Sequence, residues 1–180
     1  MQKYWEGSVH VDAPAGEVWA YVADCNRHPE WDTFTKEISL AKAGDENGVG
    51  SEWKVREHLG MLKSEGNKSW LDHGVAPARR EVRHLVPGQK IVWHTHPVPK
   101  IGVSAEFTVE LIPENGGTLV RELVSLHVPG VMDVVGRVLA PKRDKIQQAA
   151  WQKNLDQLKQ AVEGGEKAAE AAPVREAVAV

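Results

Sequence analysis

The chain has 180 residues, a formal net charge of −3 and a single cysteine, enough for one domain that buries a core or a core plus a cavity. Its near-balanced charge, with no local Lys/Arg cluster, gives no electrostatic footprint for nucleic acid, and Cys25 alone excludes an intramolecular disulfide framework and Cys-based zinc or iron–sulfur sites within one chain. The opening MQKYWEGSVHVDAP lacks the apolar core of a secretory signal, and no run approaches the ~18 apolar residues of a membrane span, so the expectation is a soluble protein of a reducing cytoplasm with no membrane insertion.

Tyr4 to Val11 alternates as a first strand. Asp12-Ala-Pro-Ala-Gly-Glu17 ends it and begins a helix that runs to about Cys25 and buries Val18, Trp19 and Val22. A short helical turn follows at His28-Pro-Glu-Trp-Asp32, where His28, Trp31 and Asp32 fix the corner. Phe34 to Leu40 is a second strand, and Gly44-Asp-Glu-Asn-Gly48 is a turn cluster. Ser51 to Glu57 alternates strictly, placing Ser51, Trp53, Val55 and Glu57 on one face. Residues 59–77 carry no clear pattern and read as a weak strand pair or a flap.

Two hairpins come next. Arg79–Val86 and Gln89–Thr95 flank Pro87-Gly88, and a two-residue loop there sets Val82 opposite Trp93 and His84 opposite Ile91. On that register Val82, His84 and Val86 share an inner face with Ile91, Trp93 and Thr95, while His94 and His96 lie outward. Val103–Ile112 and Thr118–His127 form the second hairpin through Pro-Glu-Asn-Gly-Gly, with Val103, Ala105, Phe107, Val109 and Leu111 inward. A long helix spans Val131 to Glu163, with Pro141 kinking it, so that Val131–Ala140 is a candidate gate. Its stripe of Trp151, Leu155, Leu158 and Val162 must be buried, and the face of the sheet is the place available. Residues 164–180, rich in Ala and Glu, are expected to be a disordered tail, leaving 1–163 as the domain. Most of the seven Trp, against two Phe and two Tyr, must serve the interior.

The order of elements is α+β: strand, two short helices, about six strands, long helix. With VDAPAGEVWAYVAD at 11–24, HPEWD at 28–32, GVGSEWKVR at 48–56, VPGQKIVW at 86–93, FTVELIPENGGTLV at 107–120 and LDQLKQAVE at 155–163, it resembles the START-like (SRPBCC) superfamily and within it the polyketide cyclase/dehydrase-like group. The resemblance implies a helix-grip fold, a curved antiparallel sheet wrapped around a long C-terminal helix with a largely apolar cavity between them. Members bind lipids, sterols, plant hormones or polyketides; some catalyse cyclisation or dehydration, and the Hsp90-activator-like branch binds proteins. Such a fold supplies a cavity and not a reaction.

The resemblance also places the Val120 parity toward the cavity, and with it Glu122, Val124 and Leu126. A carboxylate there is desolvated and suited to acid–base work or to anchoring a ligand hydroxyl. Glu57 is a second inward carboxylate, and His84 completes a candidate acid–base set; Arg80 is the basic residue that a structural pair with Glu122 would use. Trp53, Trp93 and Phe107 are expected in the cavity wall, with Val55, Val82, Thr95, Val109, Val124 and Trp151 as further ligand contacts. His94 and His96 lack the additional ligands of a zinc site, so no metal or cofactor is expected. Nor does Cys25 have a patterned base beside it. The expected partner is a hydrophobic small molecule such as a lipid, quinone or polyketide, held by a carrier or sensor. The alternatives are a cyclase/dehydratase using Glu122 and His84, and a protein-interaction module; monomer and homodimer both remain open.

Overall fold

Alternation of apolar and polar residues builds most of the molecule, whose computed structural model describes residues 2–58, 75–97, 102–130 and 143–170. Among them seven strands form one antiparallel sheet: β1 (Gln2–Val11), β2 (Thr35–Lys42), β3 (Glu52–His58), β4 (Val75–Val86), β5 (Lys90–Pro97), β6 (Ser104–Glu114) and β7 (Gly117–His127). Their order is β1-β7-β6-β5-β4-β3-β2, so the first strand pairs with the last, from Gln2 opposite His127 to Val11 opposite Thr118. The sheet curves over α3 (Arg143–Glu170), and between β1 and β2 the chain forms α1 (Ala15–Val22), a 3-10 turn (Cys25–Arg27) and α2 (His28–Trp31). Pro14 occupies the cap position of α1, just outside its first turn.

The helix stripe goes where its periodicity requires. Trp151, Leu155, Leu158 and Val162 are all buried, and α3 packs chiefly on β1 and on α2. Val11, Val18, Val22, Ile91, Val109 and Val120 join Leu155 and Leu158 in one apolar core. Gly7 allows the close approach of β1 to the helix: a β-carbon there would stand 3.1 Å from Leu155 Cδ1 and 3.2 Å from Gln152 Oε1. The β6–β7 hairpin closes on Asn115-Gly116 with φ of 51° and 80° and Glu114 paired to Gly117, a two-residue turn with left-handed backbone at both positions, for which Asn-Gly is the preferred pair.

Three expectations change. The β4–β5 loop has three residues, Pro87 to Gln89, with Val86 paired to Lys90 and Gly88 at φ 72°. That shifts the register by one, and a bulge between Val82 and His84 shifts it back, so Val82 still faces Trp93 while His84 faces Val92. Arg83 is the extra residue, and both Arg83 and His84 are exposed. Leu85, not His84, packs against the core. Secondly, α3 runs past Glu163 through Gly164 to Glu170, because helical hydrogen bonding tolerates glycine at a cost of only ~1 kcal/mol per residue. The part of the expected tail from 171 onward lies outside the described residues. Thirdly, residues 75–77, expected in the unpatterned segment, open β4. The rest of that segment (59–74) and the expected gate at Val131–Ala140, with Pro141, also lie outside the described residues.

Candidate functional site

Four strands and two helices contribute the polar side chains of the interior: Thr35, Glu57, Arg80 and Glu122 from the sheet, His28 with the adjoining Asp32 from α2, and Asn154 from α3. Arg80, on the inward parity of β4 with Ala78 and Val82, is 2% exposed. Its Nη2 donates to Asp32 Oδ2, Thr35 Oγ1 and Glu57 Oε1, each at 3.3 Å, and its Nη1 donates to His28 Nδ1. The other ring nitrogen, Nε2, donates to the Val22 carbonyl at 3.1 Å. Those two partners fix a neutral imidazole protonated on Nε2. Burial, followed by the adjacent guanidinium, pushes the His28 pKa down to about 4. His28 also lies edge-on to Trp31, with ring centroids 5.1 Å apart, and 5.3 Å from Trp93.

The long helix reaches into this network through Asn154. Its Nδ2 donates to Asp32 Oδ1 at 3.1 Å, and its Oδ1 accepts from the Thr33 backbone N–H at 3.1 Å and hydroxyl at 2.6 Å. Asp32 also accepts from Thr35 Oγ1 at 2.6 Å and from Phe34 N at 3.0 Å. Every carboxylate oxygen of Asp32 is therefore used. Glu57 is different. Burial pushes its pKa up, against the pull of Arg80, because one contact at 3.3 Å offsets only part of the loss of water.

Glu122 stands apart from the network. It projects inward from β7, opposite Gly7 of β1 and Val109 of β6, and is 5% exposed. Among the described residues its Oε2 has no hydrogen-bond partner, and burial, reinforced by Asp32 and opposed by Arg80, pushes its pKa up to about 8. At neutral pH this carboxyl carries a proton. The expected pairing of Arg80 with Glu122 is not what the side chains form: the guanidinium bonds Glu57 and Asp32 instead.

Two spaces meet at Glu122. One, of about 290 Å³, lies between β1, β7 and α3, with Trp5, Gly7, Val124, Trp151 and Leu155 among its walls and Lys145 and Gln152 toward solvent. The Trp5 and Trp151 rings sit 4.7 Å apart. The other is a small pocket of about 30 Å³ enclosed by Trp31, Asp32, Phe34, Glu57, Arg80, Trp93, Phe107 and Asn154. Glu122 and Trp151 border both.

Of the ligand contacts expected from sequence, Glu57, Trp93, Phe107, Glu122, Val124 and Trp151 line these spaces. Val82 and Val109 are core residues, Trp53 packs against them with its Nε1 donating to Ser51 Oγ at 3.1 Å, and Thr95 is buried beside Arg80 in the β4–β5 register. Val55, although buried, borders a separate groove with Ile38 and Ala78. His84 is excluded from the acid–base set by the Arg83 bulge, which turns it to solvent. Sequence reasoning treated His28, Trp31 and Asp32 as a corner and overlooked Asn154. The signal for Asn154 was its spacing of three from Trp151 and four from Leu158, inside the apolar stripe.

Cys25, His94 and His96 do not line these spaces. Burial pushes the Cys25 thiol up to about 11, so it is protonated and unreactive. His94 and His96 form an edge-on pair with centroids 4.2 Å apart. Among the described residues no three or more His, Cys, Asp or Glu side chains gather in a way that could hold a metal ion. No described helix is long and apolar enough to cross a membrane.

Residues 5–163 match the family described as polyketide cyclase / dehydrase and lipid transport. In structure the chain is similar to the Zhui aromatase/cyclase from Streptomyces sp. R1128, with a TM-score of 0.69 at 15% identity over 96% of this chain and 100% of that one. It is also similar to the protein TTHA0849 from Thermus thermophilus, with a TM-score of 0.64 at 13% identity over 91% and 99% of the two chains. A third likeness is to the Aha1 dimer from Colwellia psychrerythraea, with a TM-score of 0.56 at 18% identity over 91% and 98%. At these identities the likenesses establish the helix-grip fold. No curated protein matches the chain significantly in sequence.

Proposed function

The chain belongs to the polyketide cyclase/dehydrase and lipid transport family, and we propose that it is a cytoplasmic carrier or sensor that encloses an apolar small molecule, such as a lipid, quinone or polyketide, between its sheet and α3. One observation carries this reading. The carboxyl of Glu122 is buried, lacks a partner on Oε2 among the described residues and borders both spaces under the helix. A buried polar oxygen left unbonded costs roughly 1–3 kcal/mol, and a ligand hydroxyl or carbonyl meeting it recovers that cost. The aromatic pair of Trp5 and Trp151, with Val124 and Leu155, supplies apolar walls for the rest of the molecule.

The test uses those same indoles as reporters. Organic extraction of protein purified from its native source, read by mass spectrometry, is expected to release an apolar compound. Titration of the stripped protein with lipid, quinone and polyketide probes is expected to change Trp fluorescence saturably. An empty extract together with no saturable response from any probe defeats the reading.

A second reading, a cyclase or dehydratase, draws on the same carboxyl, because a group that holds its proton to about pH 8 is a competent general acid at neutral pH. Among the described residues the two candidate bases are placed otherwise: His84 is in solvent and Glu57 is bonded to Arg80. Under this reading Glu122→Gln abolishes turnover of a carbonyl substrate and leaves its affinity nearly unchanged. Equal losses of both would mark Glu122 as an anchor only.

A further inference from the structure

The small pocket behind Glu122 has an unusual balance of hydrogen-bonding groups. Trp31, Arg80 and Trp151 all border it, and in each an N–H has no acceptor among the described residues: Nε1 of both indoles and Nε of the guanidinium. All three residues are more than nine-tenths buried. With the proton on Glu122, the unpartnered groups of these lining residues are four donors. Native interiors seldom leave one such donor unpaired, and here three belong to residues that border one space of about 30 Å³. That is roughly the volume per molecule of liquid water, hence of one oxygen-bearing group.

Charge narrows the identity of that group. The guanidinium is already shared between Asp32 and Glu57, with Glu122 as a third carboxyl on the same pocket. A ligand carboxylate placed there would add a further negative group around one cation in a dehydrated space. An ammonium brings only donors, to walls whose unpartnered groups are donors already. A neutral oxygen, by contrast, accepts from the N–H groups and adds no charge.

We propose that this pocket is a specificity site that takes an uncharged oxygen, a ketone carbonyl or a hydroxyl, at one end of the apolar ligand, and turns away carboxylates and amines. The inference rests on the binding reading above. It adds that the ligand enters polar end first, past Glu122 and Trp151, with its apolar body left between Trp5 and Leu155.

Four probes of one shape test it: acetylnaphthalene, ethylnaphthalene, naphthoate and naphthylmethylamine, titrated calorimetrically into the full chain at pH 7. Acetylnaphthalene is expected to bind about tenfold more tightly than ethylnaphthalene, the worth of one well-made hydrogen bond, with the two charged probes weaker than either. Trp31→Phe removes one donor and keeps an aromatic ring. It is expected to lower the acetyl-to-ethyl affinity ratio severalfold, and Trp151→Phe provides the same readout if the first variant does not fold. Equal affinities for the acetyl and ethyl probes, or naphthoate binding as tightly as acetylnaphthalene, would overturn the inference while leaving apolar binding intact. Absence of binding by all four would defeat the binding reading, and the inference with it.

Discussion

Replacing Glu122 by Gln converts a titrating group into a neutral one of nearly the same shape, and the consequence for stability has a definite sign. The ordinary carboxyl value is 4.5 and burial takes the folded value to about 8. Between those limits the folded chain keeps the proton and the unfolded chain releases it, so stability falls as pH rises. Below the lower limit both states are protonated and no penalty exists. Above the upper limit both are ionised and the penalty is complete. The interval from 4.5 to about 8 is 3.5 units, and at ~1.4 kcal/mol per unit the ceiling is about 5 kcal/mol. Glu122→Gln should therefore match the wild-type stability within about 1 kcal/mol near pH 4.5 and exceed it by several kcal/mol at pH 8.5. Urea unfolding at a series of pH values measures both curves. Glu57, also pushed up by burial, contributes a slope of the same sign to both proteins, so the difference between the curves isolates Glu122. Parallel curves would refute the buried, unpaired state assigned to this carboxyl.

Three further outcomes follow from the neighbouring geometry. Arg80→Met removes the cation from a buried cluster and should cost about 3–5 kcal/mol at pH 7, the usual consequence of stranding a buried partner; a loss under about 1 kcal/mol at pH 7 in urea unfolding would contradict the network. The His28 ring should remain the neutral Nε2–H tautomer down to about pH 4, visible in its nitrogen chemical shifts, and a midpoint near the ordinary 6.5 would show that it is not buried against Arg80. Deleting Arg83 removes the residue that makes the bulge and leaves all cross-strand partners of β4 in place, so the deletion should cost under about 1 kcal/mol. Its unfolding would mean that the bulge holds the strand's curvature.

The fold was legible because the signals for it are local and repeated. Strict alternation in Ser51–Glu57 and the stripe from Trp151 to Val162 each name an inner face without reference to anything distant, and both faces turn inward as expected, with Trp53 alone half-buried among the named residues. Parity carried Glu57 inward by the same logic, whereas for Glu122 the choice of face came from the family resemblance. Parity failed at His84 because it assumes one uninterrupted register, and one inserted residue exchanges the faces. A loop of three residues and a bulge of one cancel beyond Arg83, which is why Val82 still meets Trp93. The pairing of Arg80 was illegible for another reason. Four acceptors on separate elements compete for one guanidinium, and their distances depend on how β3, β4 and the α2 corner meet. Strand periodicity places such groups on a common surface and leaves their choice of partners open.

The bond between Asn154 and Asp32 joins residues 122 positions apart. Contacts of such separation form only after the intervening chain has collapsed, since closing the loop costs entropy before any bond returns it. A chain still emerging from the ribosome thus holds Asp32 and Arg80 with the helix's carboxamide missing, and the neighbouring cavity lacks its Trp151 wall. Docking of α3 completes the polar network and the ligand space in one event. Binding competence should therefore appear with the final folding phase rather than before it, and a ligand present during refolding will act on the docking of that helix, not on the assembly of the sheet.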